Sequence, residues 1–159
     1  MQIRVIAVGK IKEPFIREGI AEYEKRLRLY GKLEIIELPE EKRPLSASPA
    51  TESAAVQMEG ERILAAIPDG SVVIALDMKG LSWSSEELAA SFRERELSGR
   101  NHLAFVIGGD LGLSPAVIAR SNLRLSLSRM TFTHPMARLL LLEQVYRAFR
   151  ILRGEPYHK

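Results

Sequence analysis

The sequence predicts one α/β domain built on a largely parallel sheet. Three observations predict it. Short apolar runs at period two alternate along the chain with longer stretches whose apolar residues stand three and four apart. Clusters rich in glycine, proline and serine separate these segments at intervals suited to strand–helix units. The length of 159 residues with 46% apolar content is that of a single ordinary domain, 1–159, and no repeat, linker or low-complexity run interrupts it.

Taken in order, Gln2 to Val8 alternate around Ile and Val and read as a first strand. They lack the apolar core and cleavage pattern of a signal peptide. Pro14 suits a first helical position, and Ile16, Ile20, Tyr23, Leu27 and Tyr30 form one face up to Gly31. Leu33 to Leu38 is a second strand, and the polar, proline-bearing segment from Glu40 to Pro49 is a loop. Thr51 is the expected cap of a helix through Val56, Ile63 and Leu64 that stops before Pro68-Asp69-Gly70. Ser71 to Leu76 is a continuous apolar run, as in a strand covered on both faces, ending in Asp77-Met78-Lys79-Gly80. Ser84 with Glu87 matches a capping box for a helix through Leu88, Ala89, Phe92 and Leu97. Leu103 to Ile107 is the next strand and runs straight into Gly108-Gly109-Asp110-Leu111-Gly112. Ser114-Pro115 opens a short helix with Val117 and Ile118. Leu123, Leu125 and Leu127 alternate in a last strand, and a final helix runs from near Pro135 to about Leu152.

Composition removes several chemistries. With no cysteine there are no disulfides, no thiolate catalysis and no cysteine-ligated zinc, which fits a reducing, cytoplasmic setting. The three histidines make no metal set, so no metal is expected. No apolar run approaches the roughly eighteen residues of a membrane span. The net charge of +3 is mild but unevenly placed: residues 120–159 hold eight Arg or Lys against two Glu. A basic terminal quarter on a slightly acidic body suits a nucleic-acid contact surface, and equally a solvated helix face.

In a sheet of this class ligands bind beyond the carboxyl ends of the strands, so the loops after Leu76, Ile107 and Leu127 come first. The glycine segment from Gly108 to Gly112 allows close backbone approach to a ligand, or is only a tight turn. It is neither GxGxxG nor a Walker loop, which weakens dinucleotide and nucleoside-triphosphate readings. Ser126 to Pro135 mixes small hydroxyl and apolar residues and can offer backbone groups to a base edge and a slot to its ring, or merely join strand to helix. The last helix has a wide apolar face (Leu139, Leu142, Val145, Phe149 and Leu152, broadened by Leu140 and Leu141) that suggests a partner subunit. Its polar side carries Arg138, Arg147, Arg150 and Arg153. Arginine pairs with phosphate or stacks on a base, though Arg150 and Arg153 read as surface residues. Glu143 can orient an arginine. Tyr157 could stack on an unstacked base and His158 exchange a proton near neutrality, against the usual fraying of a chain end.

Together, the strand followed by Gly108-Gly109-Asp110-Leu111-Gly112, the Leu125-Ser126-Leu127-Ser128 loop, His134-Pro135 with Arg138, the Val5 to Gly9 opening with Lys10, and terminal Pro156-Tyr157-His158-Lys159 closely resemble the large-subunit rRNA pseudouridine N3-methyltransferases of the SPOUT class. The resemblance spans essentially the whole chain. One departure is Asp110-Leu111, where that family commonly has a proline or small residue followed by an acidic one. The resemblance implies a Rossmann-like sheet with a C-terminal deep trefoil knot, which general connection rules argue against. It also implies a homodimer and S-adenosylmethionine held by Leu76, Gly108, Leu127, Ser128, Arg129, Met130, Thr131 and Phe132. The substrate it implies is N3 of a pseudouridine in large-subunit (23S) rRNA of the assembled ribosome.

The N3 proton must leave before that nitrogen can attack a methyl carbon, so the site needs a base or cations beside the flanking oxygens. Arg138, His134, Tyr157 and His158 are the expected catalytic residues: Arg138 for electrostatic and phosphate contacts, Tyr157 with His158 for holding or deprotonating the base. The tail is expected to reach the neighbouring subunit's cofactor pocket. Two rivals are a nucleotide-binding oxidoreductase, separable by calorimetry with S-adenosylmethionine against NAD, and a non-catalytic ribosome-binding factor.

Overall fold

The computed structural model describes residues 1–157. Strands β1 (Gln2–Val8), β2 (Lys32–Leu38), β3 (Val72–Ser82), β4 (His102–Ile107) and β5 (Leu123–Ser126) form a five-stranded parallel sheet in the order β2-β1-β4-β3-β5. One helix follows each strand in turn: α1 (Pro14–Leu27), α2 (Pro49–Ala66), α3 (Ser85–Leu97), α4 (Pro115–Arg120) and α5 (His134–Leu152). The predicted α/β class and parallel sheet are therefore present.

Strand periodicity sorts the core into two layers. Ile3, Val5 and Ala7 of β1, with Ile74, Phe105 and Ile107, pack under Ile16 of α1, Phe92 of α3 and Leu142 of α5. Ile6 and Val8, with Val73, Ala75, Ala104 and Val106, pack under Ile63 of α2 and Val117 of α4. Because both faces are covered at the centre of the sheet, the buried stretches 5–8 of β1, 72–75 of β3 and 103–107 of β4 are unbroken hydrophobic runs.

Two boundaries differ from the sequence reading. Ser48, not Thr51, caps α2: its hydroxyl accepts the Thr51 N–H at 3.2 Å, and Pro49 takes the first turn, where its fixed φ suits a helix start. The buried stripe of α2 is Ala55, Glu59, Gly60 and Ile63, which puts a carboxylate on an apolar face. Strand β3 does not end at Leu76. The Asp77 carboxylate accepts the Lys79 N–H at 3.2 Å and the Arg124 Nε of β5 at 2.8 Å. The chain bulges at 77–80 and resumes pairing with β5 at Leu81.

The connections place the functional edge. Loops after β1 and β3 lead to helices on one face, and those after β2 and β4 lead to the other. The turn after β4 thus leaves between two neighbours, β1 and β3, whose chains depart the opposite way, the kind of topological switch point beside which ligands bind in open α/β sheets. Among the described residues no helix is long and apolar enough to cross a membrane, and no group of three potential ligands could hold a metal.

Candidate functional site

Gly108 sits buried at the end of β4. A Cβ there would stand 2.5 Å from the Gly112 carbonyl oxygen and 2.6 Å from its carbon, so only glycine fits. The turn closes through Gly112 N–H to the Gly109 carbonyl at 3.1 Å. The sheet order β4-β3-β5 then sets Gly108, Leu76 and the segment after Ser126 side by side. Within that segment Ser126 Oγ donates to the Ser128 carbonyl at 2.9 Å, and Met130 N–H donates to Ser128 Oγ at 3.0 Å. Thr131 Oγ1 meets Met78 Sδ of the β3 bulge at 3.1 Å. Leu127 and Ser128 are half-buried, whereas Arg129, Met130, Thr131 and Phe132 are exposed. Met78, Met130 and Phe132 are thus large apolar side chains left in water around a folded, hydrogen-bonded loop, which is how the rim of a ring-binding slot looks. Burial pushes the Asp77 carboxyl up, but Arg124 and the Lys79 N–H outweigh it and hold the group below the usual carboxylate range.

A second group lies where β1 and β2 end. Gly9 has φ +91°, and the His134 ring packs so closely over it that a Cβ would stand 3.1 Å from Cε1. Arg138, one turn along α5, is 1% exposed. It donates from Nη1 to Glu37 Oε2 at 2.6 Å and from Nη2 to the Gly9 carbonyl at 3.0 Å. The expected phosphate contact of Arg138 is therefore corrected: its guanidinium is enclosed and engaged within the protein. Its position makes it the post on which the Gly9 loop hangs. Glu37→Gln takes the paired anion from that buried cation and leaves it only neutral acceptors, the Gly9 carbonyl and an amide oxygen. With Glu37 itself half in solvent, the expected loss is about 2 kcal/mol, read as a lower urea midpoint.

His134 Nδ1 is buried without a partner. Burial holds the His134 pKa below its ordinary 6.5; Glu40 opposes this and Arg138 adds to it. A histidine with a depressed folded-state pKa favours folding above its unfolded value, and that contribution is lost as pH falls. Wild type should therefore lose stability as pH drops below 6.5 more steeply than His134→Asn, measured by urea midpoints across that range.

Tyr157 belongs to a third group. Arg147 donates from Nε to Glu143 Oε1 at 2.9 Å and from Nη1 to the Tyr157 carbonyl. Tyr157 Oη donates to Glu86 Oε1 at 3.1 Å, a bond that raises the phenol pKa. Arg150 reaches the Pro156 carbonyl at 2.6 Å and pairs with Glu155, and Arg153 lies 4.4 Å over the Tyr30 ring. Much of the basic polar side of α5 is thus occupied in fastening the tail and the α1–α5 aromatic cluster. Arg150 and Arg153, read as surface residues, are part of that fastening. Tyr157 thus lies on α3 and α5 of the same chain. His158 lies outside the described residues.

Residues 1–158 match the family described as "Predicted SPOUT methyltransferase". The chain belongs to the SPOUT methyltransferase family. A relative from Methanoregula boonei is 62% identical over 159 residues, covering both chains in full. The ribosomal RNA large subunit methyltransferase H of Carboxydothermus hydrogenoformans is 55% identical over 159 residues, again covering both chains in full. The crystal structure of TrmJ from Z. mobilis superposes with a TM-score of 0.56 over 98% of this chain and 71% of that one, and at 15% identity it supports the fold alone.

Within this SPOUT chain the structure sets the loops carrying Leu76, Gly108 and Leu127 to Phe132 along one edge. It divides the described ones among the expected catalytic residues, with His134 and Arg138 in the Gly9 group and Tyr157 in the tail group. The Glu143–Arg147 clamp was half legible, since an acid and an arginine four apart on a helix pair readily. Glu59 and Arg43, which lie beside the glycine turn, were missed. An acid on the apolar stripe of α2 was the available sign for Glu59.

Proposed function

We propose that this protein transfers a methyl group from S-adenosylmethionine to N3 of a pseudouridine in 23S rRNA of the assembled ribosome, acting in the cytoplasm as a homodimer. Family membership and the name of the 55% identical relative, a ribosomal RNA large subunit methyltransferase, support the reaction class. The observation that carries the site is the turn at Gly108, at the carboxyl end of β4, where the Gly112 backbone leaves no room for a side chain. In this reading Leu76, Gly108 and Leu127 to Phe132 hold the cofactor, within a C-terminal deep trefoil knot. The residues suit it: small and backbone groups for the polar parts, Met78, Met130 and Phe132 for an adenine ring.

S-adenosylmethionine, when bound, supplies an electrophilic methyl carbon on a sulfonium. The chain's residues must place N3 behind that carbon and make it nucleophilic. The N3–H bond would break, its proton passing to His158 or through Tyr157 to water, and the nitrogen lone pair would form the N–CH3 bond as the methyl–sulfur bond breaks and S-adenosylhomocysteine leaves. Tyr157, held by Arg147 and Glu86, stacks on or orients the base. His134 and Arg138 act behind this by fixing the Gly9 loop. Half-buried Leu139 and Leu140 on α5 leave apolar surface for a second copy, and the tail of one subunit serves the cofactor pocket of the other.

The test is transfer of tritiated methyl from S-adenosylmethionine to ribosomes, with free rRNA as control and the modified nucleoside identified by chromatography. Methylated pseudouridine from ribosomes supports the reading. Tight ribosome binding with no transfer would instead make the protein a non-catalytic ribosome-binding factor.

A further inference from the structure

The segment joining β2 to α2, residues 39–48, reads as a solvated loop, and Lys42, Pro44, Leu45 and Ser46 are exposed. Arg43 between them is not. Its side chain is only 15% exposed because it folds inward, and Nη2 meets Asp110 Oδ2 at 2.6 Å. Asp110 is at the tip of the glycine turn.

A second tie runs through Glu59, which is 3% exposed on α2. One of its carboxylate oxygens accepts the Glu41 N–H at 2.9 Å. The other lies against Gly109, where a Cβ would stand only 3.3 Å from it. Arg62 of α2 then anchors the segment from outside, donating to Glu41 Oε2 at 2.7 Å and to the Pro39 carbonyl at 3.0 Å. The segment is thus a strap with one side fixed to α2 and the other to the turn.

The turn passes displacement on directly. Gly109 and Gly112 are bonded to each other, and the Gly112 backbone fills the space beside Gly108. No soft side chain lies between Asp110 and Gly108 to absorb a shift.

We propose that Arg43 and Glu59 are positioning residues for the methyl-donor site: the 39–48 strap holds the Gly108–Gly112 turn in its binding geometry through the Arg43–Asp110 ion pair and the Glu59 carboxylate. The proposal rests on the reading that this turn holds S-adenosylmethionine. The charges agree with the geometry. Arg43 holds the Asp110 carboxyl below its usual range, while burial pushes Glu59 up, with Glu40 and Asp110 adding and Arg43 opposing. Removing Arg43 would take away a cation that offsets the push of Glu40 and Asp110 on Glu59.

Arg43→Gln and the exchange Arg43→Asp with Asp110→Arg test this in the full-length protein, with three readouts. S-adenosylmethionine affinity by calorimetry should weaken about fivefold in Arg43→Gln, the upper range for a partly exposed ion pair. The kcat at saturating cofactor should stay near wild type, and the exchange variant should recover most of the lost affinity. Amide hydrogen exchange at 109–112 should quicken in Arg43→Gln. Wild-type affinity in Arg43→Gln, or weakening that the exchange does not relieve, overturns the proposal. If wild-type protein fails to bind S-adenosylmethionine, the cofactor reading falls by itself. Hydrogen exchange then decides the strap: faster exchange at 109–112 supports it and unchanged exchange overturns it.

Discussion

Deleting residues 156–159 is expected to cut methyl transfer by about 100-fold or more, the scale of a lost general acid–base group, while S-adenosylmethionine still binds. The two effects separate because the proposed cofactor residues all precede the last helix, whereas Tyr157 and His158 are removed. The fold should survive. Pro156 is exposed, and Glu155, which accepts the Tyr30 hydroxyl at 2.6 Å, remains in the shortened chain. Arg147 loses the Tyr157 carbonyl but keeps Glu143. The measurements are a thermal melt, cofactor calorimetry and methyl transfer to ribosomes on the same preparation. Transfer at the wild-type rate would remove the tail from the mechanism. Mixing the truncated protein with Gly108→Ala protein adds a test of sharing between subunits. A mixed dimer joins one intact cofactor turn to one intact tail on different chains, so recovered activity requires that the tail serve its neighbour.

The layered fold was legible because it is written in short-range pattern. A strand buried on both faces must be apolar throughout, as Val72 to Leu76 and Leu103 to Ile107 are, and a helix start leaves a proline or a capping box, as at Pro14 and at Ser84 with Glu87. The misread boundaries have local causes. Thr51 and Ser48 are both good caps, and Pro49 decides between them only once its fixed φ is placed in the first turn. The turn-like Asp77-Met78-Lys79-Gly80 is a bulge because Arg124, far along the chain, holds Asp77 against β5.

The site was legible in part for the same reason. Glycines announce close backbone approach, and at Gly108 what approaches is the Gly112 backbone of its own turn. Arginines do not announce their partners. Arg138 looked like a phosphate ligand, yet Glu37 lies 101 residues away in sequence; Arg43 stood in a polar loop with nothing to single it out, and Asp110 lies 67 residues away. Only the fold brings such pairs together, and no periodicity encodes them. For Glu59 the sign existed, a carboxylate on the stripe of Ala55 and Ile63, but its purpose depends on the turn it touches.

Gly108→Ala should weaken S-adenosylmethionine binding on the order of 100-fold, as expected when a site is misplaced by a fraction of an ångström to an ångström. The added methyl would meet the Gly112 carbonyl oxygen at 2.5 Å, its carbon at 2.6 Å and Leu113 N at 3.1 Å. All three are backbone atoms, so no rotamer can relieve the contact and the turn itself must move. Overpacking of this kind also costs about 1–3 kcal/mol of stability, so a fall in melting temperature would accompany the loss of binding. The control is Gly70→Ala. Gly70 lies in the turn before β3 with φ +74° and nothing within 4 Å of a new Cβ, so the change introduces backbone strain away from the site. It should lower stability by roughly 1 kcal/mol and leave cofactor affinity unchanged. If both variants lost affinity in proportion to stability, the Gly108 effect would be only unfolding. If Gly108→Ala bound S-adenosylmethionine as wild type does, the turn would not be the place where the cofactor meets the chain. Loss of affinity confined to Gly108→Ala ties binding to a backbone position where Gly112 leaves no room for a side chain.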